Sequence, residues 1–151
     1  MRPPWEILMV EDSTTDAELV LRAFKHAGIT NPLKIVSCGE QGLEYLVGPA
    51  ALAKVGPVRP SLILLDLNLP GMSGIEFLRR LKADGRTSGI PVVVLSQSEN
   101  DRNIMTCVRL GSDGYIVKPL DIDNLFRVAA KLKLSLTVEP RRFTETKRKA
   151  N

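Results

Sequence analysis

Residues 62–74 read LILLDLNLPGMSG, an apolar run that ends in an acid and continues into a loop containing proline and glycine. A short run of Leu and Ile without polar alternation is typical of a strand buried on both faces, as in a parallel sheet. Asp66 follows the run directly, where a parallel strand presents its carboxyl end. This stretch therefore predicts an interior strand with a carboxylate at the functional edge of the sheet.

Short apolar runs alternate with longer segments of helical period five times along the chain, which predicts an α/β fold with a doubly wound, five-stranded parallel sheet and five helices. The first helical segment has Ser13 at its N-cap position and Gly28 at its end. The predicted strands are Ile7 to Val10, Leu33 to Ser37, Leu62 to Leu65, Val92 to Leu95 and Tyr115 to Val117. The later helices are predicted over Glu40 to Val47, Ile75 to Lys82, Asn100 to Leu110 and Asp121 to about Leu134.

Three segments lie outside this pattern. Residues 48–60 contain prolines and glycines without a clear period and predict a surface loop. Residues 131–138 fit both a helix and an alternating strand, so we predict helix for the first half and leave the end open. The terminal stretch holds much of the excess positive charge of this chain, whose formal net charge is +4. We predict one domain over residues 5–136 and a basic tail over 137–151.

Composition narrows the classes of function. A chain of 151 residues, 44% hydrophobic, fits one domain with its own core. A basic, polar terminus is typical of a solvated tail, so we do not expect nucleic-acid binding. Cys38 and Cys107 lack metal-binding spacing and are predicted to be reduced thiols. With no signal peptide or membrane-spanning stretch, we expect a cytoplasmic protein.

Polar residues follow four of the predicted strands. Glu11 and Asp12 come after the first, Asp66 after the third, Ser96 after the fourth and Lys118 after the fifth. The carboxyl ends of parallel strands meet at one edge, so these side chains are expected to converge there. Three neighbouring carboxylates repel one another unless a cation neutralises them, and a hard ion such as Mg²⁺ prefers oxygen ligands. The sequence therefore predicts a magnesium site.

The same constellation is suited to attack on phosphorus. A metal ion, an ammonium group and a hydroxyl offset the charge on the equatorial oxygens of a transferring phosphoryl group. Asp66 is the candidate nucleophile. His26, the one histidine, falls on the first helix, where we expect a surface side chain and no ligand.

The segments VEDS, LLDLNLPGMSG, VVVLSQS and GYIVKP, in this order and spacing, resemble the receiver domains of bacterial two-component response regulators. The resemblance covers about residues 5–136 and implies the flavodoxin-like receiver fold. It also implies a sensor histidine kinase as partner and Mg²⁺ as cofactor, for which Mn²⁺ or Ca²⁺ could substitute. Such a protein is a phosphoacceptor that assists its own aspartyl phosphorylation and dephosphorylation, and it is not a turnover enzyme.

The resemblance assigns roles to individual residues. Glu stands at position 11 where the family often has Asp, which bears only on how a water bridges to the metal. The Lys118–Pro119 bond is expected to be cis. The implied roles are phosphoacceptor for Asp66, acidic metal-binding pair for Glu11 and Asp12, metal ligand through its backbone carbonyl for Asn68, phosphoryl binding for Ser96 and Lys118, and switch aromatic for Tyr115.

A narrower resemblance lies in VEDSTTDAELVLRAFKHAG, in the long loop before the third strand and in LKADGRTSGIPVVVLSQSENDRNI. These stretches are similar to single-domain regulators paired with phytochrome-type sensor kinases. A regulator without an output domain must signal through protein contacts, by passing the phosphoryl group on, or by acting as a sink for a kinase. The predicted partner is therefore a phytochrome-type kinase.

Two other functions fit the sequence less well than this one. A phosphatase of the haloacid-dehalogenase type also uses an aspartate nucleophile and Mg²⁺, but it needs a second Asp where this chain has Asn68. A flavodoxin-like nucleotide binder would need a GxGxxG or Walker loop, and neither follows any predicted strand.

The predicted fourth helix carries more apolar residues than one core-facing stripe needs. Its apolar positions cover about 220° of a helical wheel, whereas a stripe needs about 100°. The surplus faces either other parts of the chain or a partner. Because receivers use the face formed by this helix, the fifth strand and the last helix, we predict a homodimer through it, to which residues 134–138 can add. The apolar positions are Ile104, Met105, Cys107, Val108 and Leu110.

Overall fold

The computed structural model describes residues 5–52 and 59–139. Five parallel strands form one sheet in the order β2-β1-β3-β4-β5. This confirms the predicted doubly wound α/β fold. The strands are β1 (Ile7–Val10), β2 (Leu33–Val36), β3 (Leu62–Asp66), β4 (Val92–Ser96) and β5 (Gly114–Val117).

The five predicted helices are present, together with one short helix that was not predicted. Residues 48–60 were predicted as loop, and this is wrong at its start, where Pro49–Leu52 forms a single helical turn; residues 53–58 lie outside the described part of the chain. The helices are α1 (Thr14–Ala27), α2 (Gly39–Val47), α3 (Pro49–Leu52), α4 (Gly74–Ala83), α5 (Arg102–Leu110) and α6 (Ile122–Lys131).

Burial differs between central and edge strands. Every residue of β1, β3 and β4 is buried, whereas β2 and β5 at the sheet edges are partly exposed. Helices α1 and α6 cover one face of the sheet, and α2, α4 and α5 cover the other. Each fully buried Leu, Ile or Phe contributes about 1.5–3 kcal/mol to folding, so the central strands form a rigid platform for the loops at their ends.

Local signals fix where the helices begin and end. Ser13 Oγ accepts a hydrogen bond from the Asp16 backbone at 3.1 Å, and Gly28 ends α1 with φ +75°, as the sequence predicted. Gly42 on α2 lies against the ring of Phe77, where an added Cβ would come within 2.9 Å of the ring. These contacts set α2 close to α4 on one face of the sheet.

The chain after α6 turns back along the opposite edge of the sheet from the acidic residues. Helix α6 ends at Lys131, before the predicted end at about Leu134, and Lys133 adopts φ +60°. Residues 132–139, here called the C-terminal strap, then run past the start of β1, and Val138 pairs with Ile29 in an antiparallel bridge. The strap therefore closes the amino-terminal edge of the sheet. None of the described helices is long and apolar enough to cross a membrane.

Candidate functional site

The sheet order places β1 and β3 side by side at its centre, with β4 next to β3. The connection from β1 to β2 contains α1 on one face of the sheet, and the connection from β2 to β3 contains α2 on the other face. This arrangement opens a crevice at the carboxyl ends of β1 and β3. The residues that follow β1 and end β3 point into this crevice. They are the acids that the sequence singled out.

Glu11, Asp12 and Asp66 form one carboxylate cluster. Each contributes an oxygen, and the three oxygens lie within 4.8 Å of one another. Glu11 and Asp66 are buried, whereas Asp12 is exposed. Three carboxylate oxygens, with an open side toward solvent for waters, fit the donor set that Mg²⁺ uses and offer no nitrogen or sulfur ligand that would favour zinc.

Lys118 reaches the same cluster from the end of β5. Its Nζ lies 2.6 Å from Glu11 Oε1, 3.0 Å from Asp16 Oδ2 and 3.3 Å from Asp66 Oδ2. The Lys118–Pro119 peptide bond is cis, as expected. The ammonium group is thus in contact with the candidate nucleophile.

The electrostatics of the cluster follow from burial. Burial, followed by the hydrogen bond and the negative charge of Asp66, raises the pKa of Glu11 from 4.5 to about 7, although Lys118 opposes the shift. Burial lowers the pKa of Lys118, but its hydrogen bonds with Glu11 and Asp16 outweigh that effect and raise the pKa above the usual value. The lysine stays charged and offsets part of the repulsion between the buried acids, and a divalent cation would offset the remainder.

Ser96 ends β4 and is buried beside the crevice. Its Oγ donates to the Ser98 carbonyl oxygen at 2.7 Å and lies 3.4 Å from Asp101 Oδ2. Tyr115 on β5 is 45% exposed, and Asn68 donates its backbone N–H to Asp66 Oδ1 at 3.2 Å. The structure therefore brings Glu11, Asp12, Asp66 and Lys118 into one cluster, with Ser96 and Asn68 at its border and Tyr115 on the outer surface.

Asp16 is a member of the site that the sequence reasoning missed. Its position three residues after the N-cap Ser13 turns its side chain back toward the start of α1, beside the acids that end β1. The spacing of Ser13 and Asp16 marks the start of a helix, and by itself it does not predict the contact of Asp16 with Lys118. Cys38 and Cys107 are free thiols, as predicted.

The loop after Asp66 is held by close backbone packing. At Gly74 an added Cβ would come within 2.6 Å of Leu67 Cα and 2.7 Å of the Asp66 carbonyl oxygen, and Gly71 adopts φ +69°. Ser73 caps α4 by accepting from the Glu76 backbone at 3.1 Å. These features fix the loop, and with it the direction of the Asp66 carboxylate.

Comparison with known proteins identifies a family. The family model described as response regulator receiver domain matches residues 7–130. The chain is 35% identical over 130 residues to the probable methanogenesis regulatory protein FilR2 of Methanothrix harundinacea, covering 86% of this chain and 82% of FilR2. It is 36% identical over 126 residues to response regulator Rcp1 of Synechocystis, covering 83% and 84% of the two chains.

Solved structures are similar as well. The chain superposes on the bacteriophytochrome response regulator RtBRR with a TM-score of 0.77 at 32% identity, covering 91% of this chain and 83% of RtBRR. A structure of Rcp1 in its Mn²⁺-bound form gives a TM-score of 0.66 at 32% identity, covering 91% of this chain and all of the other. The resemblance to phytochrome-linked regulators that the sequence indicated is therefore confirmed.

Proposed function

The chain belongs to the response regulator receiver domain family, and from this premise we propose that residues 5–136 form a domain that accepts a phosphoryl group from a sensor histidine kinase onto Asp66. The single observation that carries the proposal is the contact of Lys118 with Asp66 inside the carboxylate cluster of Glu11, Asp12 and Asp66. Receiver domains are phosphoacceptor signalling domains, which argues against the haloacid-dehalogenase alternative.

In the proposed reaction, a carboxylate oxygen of Asp66 attacks the phosphorus of a phosphohistidine on the kinase. The new P–O bond forms as the P–N bond breaks, and the histidine nitrogen leaves with the bonding electrons. Water later attacks the acyl phosphate and returns the carboxylate and inorganic phosphate. The chain therefore supplies the acceptor and the environment, while the kinase supplies the donor.

The neighbouring residues would offset the charge that gathers on the phosphoryl oxygens. Lys118 lies close enough to Asp66 to pair with the phosphoryl group, and the Ser96 hydroxyl can donate to it after turning from Ser98. Glu11, Asp12, Asp66 and the backbone carbonyl of Asn68 are the proposed ligands of Mg²⁺. When bound, Mg²⁺ would neutralise the acids and the incoming phosphoryl charge.

Phosphorylation of Asp66→Asn, with Asp123→Asn as a matched control, tests the proposal. Asp123 is an exposed Asp on α6 and is not part of the carboxylate cluster, so its substitution makes the same chemical change without altering that cluster. With a phosphorylated kinase as donor, wild type and Asp123→Asn should be labelled in Mg²⁺ and unlabelled in excess chelator, and Asp66→Asn should stay unlabelled throughout. Normal labelling of Asp66→Asn would disprove the assignment of the nucleophile.

A small apolar cleft beside the crevice lies within the surface that we propose as the contact for the kinase. It measures about 40 Å³ and is lined by Asp16, Leu19, Lys118, Pro119 and Leu120 among others. Leu19 is 50% exposed, and an apolar side chain at the rim of a charged site is suited to bind a helix that carries a phosphohistidine.

The kinase is proposed to be of the phytochrome type, because RtBRR is described as a bacteriophytochrome response regulator. FilR2 is described as a methanogenesis regulator, so similarity by itself does not select one stimulus. Phosphotransfer profiling against all histidine kinases of the source organism, scored by initial rate, tests this. Preference for a kinase without a chromophore-binding domain would contradict the phytochrome assignment.

The domain is proposed to signal through protein contacts at a surface here called the α5–β5 face, which is formed by Met105, Val108 and Tyr115. These side chains are 57%, 50% and 45% exposed. The apolar surplus on α5 is therefore not covered by the described chain, which favours a partner over internal packing. Leu134 and Leu136 of the strap pack on the α1–α6 side of the core instead, so the proposed dimer does not need them.

Sedimentation of Met105→Glu against wild type tests the proposed homodimer. Met105 is exposed, so its charged variant should fold, whereas Ile104 is 8% exposed and belongs to the core. Leu21→Glu, at a 44% exposed Leu on α1, is the matched control. Wild type and Leu21→Glu should form dimers at tens of micromolar, and Met105→Glu should be monomeric. A wild type that stays monomeric with and without phosphorylation would rule out the dimer.

A further inference from the structure

The Ser96 hydroxyl has one proton to donate, and the structure shows which groups compete for it. Ser96 is 1% exposed. Its Oγ donates to the Ser98 carbonyl oxygen and also faces Asp101 Oδ2 at 3.4 Å. A hydroxyl cannot keep these acceptors and also donate to a phosphoryl oxygen on Asp66. Engagement of the phosphoryl group must therefore break the 2.7 Å bond to the Ser98 carbonyl oxygen and draw the hydroxyl away from Asp101 Oδ2.

Asp101 is joined to this turn and to α5 by separate atoms. Its backbone N–H donates to the Ser98 carbonyl oxygen at 3.2 Å. Its Oδ1 accepts from the Asn103 backbone at 2.9 Å and caps α5, while Oδ2 faces Ser96. One carboxylate thus connects the hydroxyl at the end of β4 with the first turn of the helix that carries the α5–β5 face.

We propose that Asp101 is a positioning residue that holds the Ser96 hydroxyl away from Asp66 and couples its release to the first turn of α5. The inference rests on the proposed function, because it specifies how phosphorylation of Asp66 reaches the α5–β5 face. When Ser96 donates to the phosphoryl group, Oδ2 of Asp101 loses its partner and the first turn of α5 can shift. Without Asp101 Oδ2, Ser96 turns toward Asp66 at lower cost.

Asp121 provides a matched comparison within the same chain. It caps α6 as Asp101 caps α5, with Oδ1 accepting from the Asp123 backbone at 2.9 Å. Its side chain has no hydrogen bond to Ser96 among the described contacts. Serine is as good an N-cap as aspartate, so Asp101→Ser and Asp121→Ser each keep the cap, and only the first removes an oxygen that faces Ser96.

The test is a ¹⁹F NMR titration of the intact chain with fluoroberyllate, a phosphoryl analogue, in excess Mg²⁺. Asp101→Ser should bind fluoroberyllate about two- to five-fold more tightly than wild type, since one weak hydrogen bond no longer opposes rotation of Ser96. Asp121→Ser should bind as wild type does. In a Ser96→Ala background, Asp101→Ser should have no effect on the affinity.

The outcomes separate this inference from the proposed function. If wild type binds fluoroberyllate and Asp101→Ser leaves the affinity unchanged, the role of Asp101 is wrong and the phosphoacceptor function stands. An equal gain in the Ser96→Ala background would overturn the inference too, because the effect would then come from charge alone and not from Ser96. If wild type fails to bind fluoroberyllate, the proposed function is wrong, and the proposed coupling of Ser96 to α5 through Asp101 is wrong as well.

Discussion

The two edges of the sheet are stabilised in opposite ways. At the carboxyl edge, buried Glu11 and Asp66 share one ammonium group from Lys118, and the pKa of Glu11 rises to about 7. At the amino edge, buried Asn31 donates to the Trp5 carbonyl oxygen at 2.9 Å and accepts from the Thr137 backbone at 2.7 Å. One edge holds like charges together, and the other is joined by neutral hydrogen bonds with partners of good geometry.

The difference shows that the unfavourable electrostatic interactions are confined to the edge that holds the candidate site. Neutral hydrogen bonds at the amino edge tie the start of β1 to the strap after α6, so the two ends of the domain support each other. The carboxyl edge keeps a repulsion between acids that lowers stability. That negative charge favours binding of a cation and holds the lysine that would bind the phosphoryl group. We therefore expect substitutions at the amino edge to reduce stability with no effect on phosphorylation. Substitutions at the carboxyl edge should affect phosphorylation without reducing stability.

The largest effect on stability is expected for Asn31→Ala. The variant leaves the Trp5 carbonyl and the Thr137 N–H without their side-chain partner, and it frees the strap. We expect the free energy of unfolding to fall by about 2–4 kcal/mol, measured by urea denaturation. Labelling of the folded variant by a phosphodonor should be unchanged.

Thr30→Ala is the matched control for Asn31→Ala. Thr30 also contacts the strap, but through a 3.3 Å hydrogen bond to the Thr137 carbonyl oxygen at an exposed position. Its loss should cost less than about 0.5 kcal/mol. Equal losses of unfolding free energy in the two variants would show that Asn31 contributes no more than Thr30 to holding the two ends of the domain together.

A smaller effect of opposite sign is expected for Glu11→Gln without metal. The pKa of Glu11 in the folded protein is about 7, above its ordinary 4.5, because the fold favours the protonated side chain. The contribution of protonated Glu11 to the free energy of unfolding is therefore complete below about pH 4.5 and is lost as the pH rises through about 7. At about pH 8 in chelator, Glu11→Gln should therefore be more stable than wild type by about 1–3 kcal/mol, measured by urea denaturation.

Three comparisons sharpen the Glu11→Gln prediction. The difference from wild type should shrink as the pH falls toward 4.5, and saturating Mg²⁺ should stabilise wild type more than the variant. Glu18→Gln, at an exposed position on α1, makes the same change in charge and should alter stability little. A destabilised Glu11→Gln at about pH 8 in chelator would show that the pair with Lys118 outweighs burial.

Much of the fold was readable because its signals are local. Continuous apolar runs predicted β1, β3 and β4, and the cap at Ser13 predicted the start of α1 within the residues that the structure describes. The convergence of Glu11, Asp66 and Lys118 followed from the rule that parallel strands end at one edge. That rule uses only the position of a residue along its strand.

The parts that the sequence did not predict depend on contacts between distant segments. The strap is held by Asn31, more than a hundred residues before Thr137, and no periodicity reports such a hydrogen bond. Asp16 and Asp101 carry ordinary helix-cap signals, which hide their contacts with Lys118 and Ser96. The roles assigned to individual site residues and the domain limits 5–136 and 137–151 remain predictions, and residues 140–151 lie outside the described chain.

The smallest effect is expected at Asp16, whose carboxylate lies 3.0 Å from Lys118 Nζ at a position 38% exposed. An ion pair of this exposure is worth less than about 1 kcal/mol, so Asp16→Asn should leave the fold intact. It should also leave more of the positive charge of Lys118 available to an incoming phosphoryl group. We expect phosphorylation by acetyl phosphate in excess Mg²⁺ to become about two- to four-fold faster, while Glu18→Gln on the same helix leaves the rate unchanged. A slower reaction in Asp16→Asn would show that Asp16 holds Lys118 in its working position and does not compete for it.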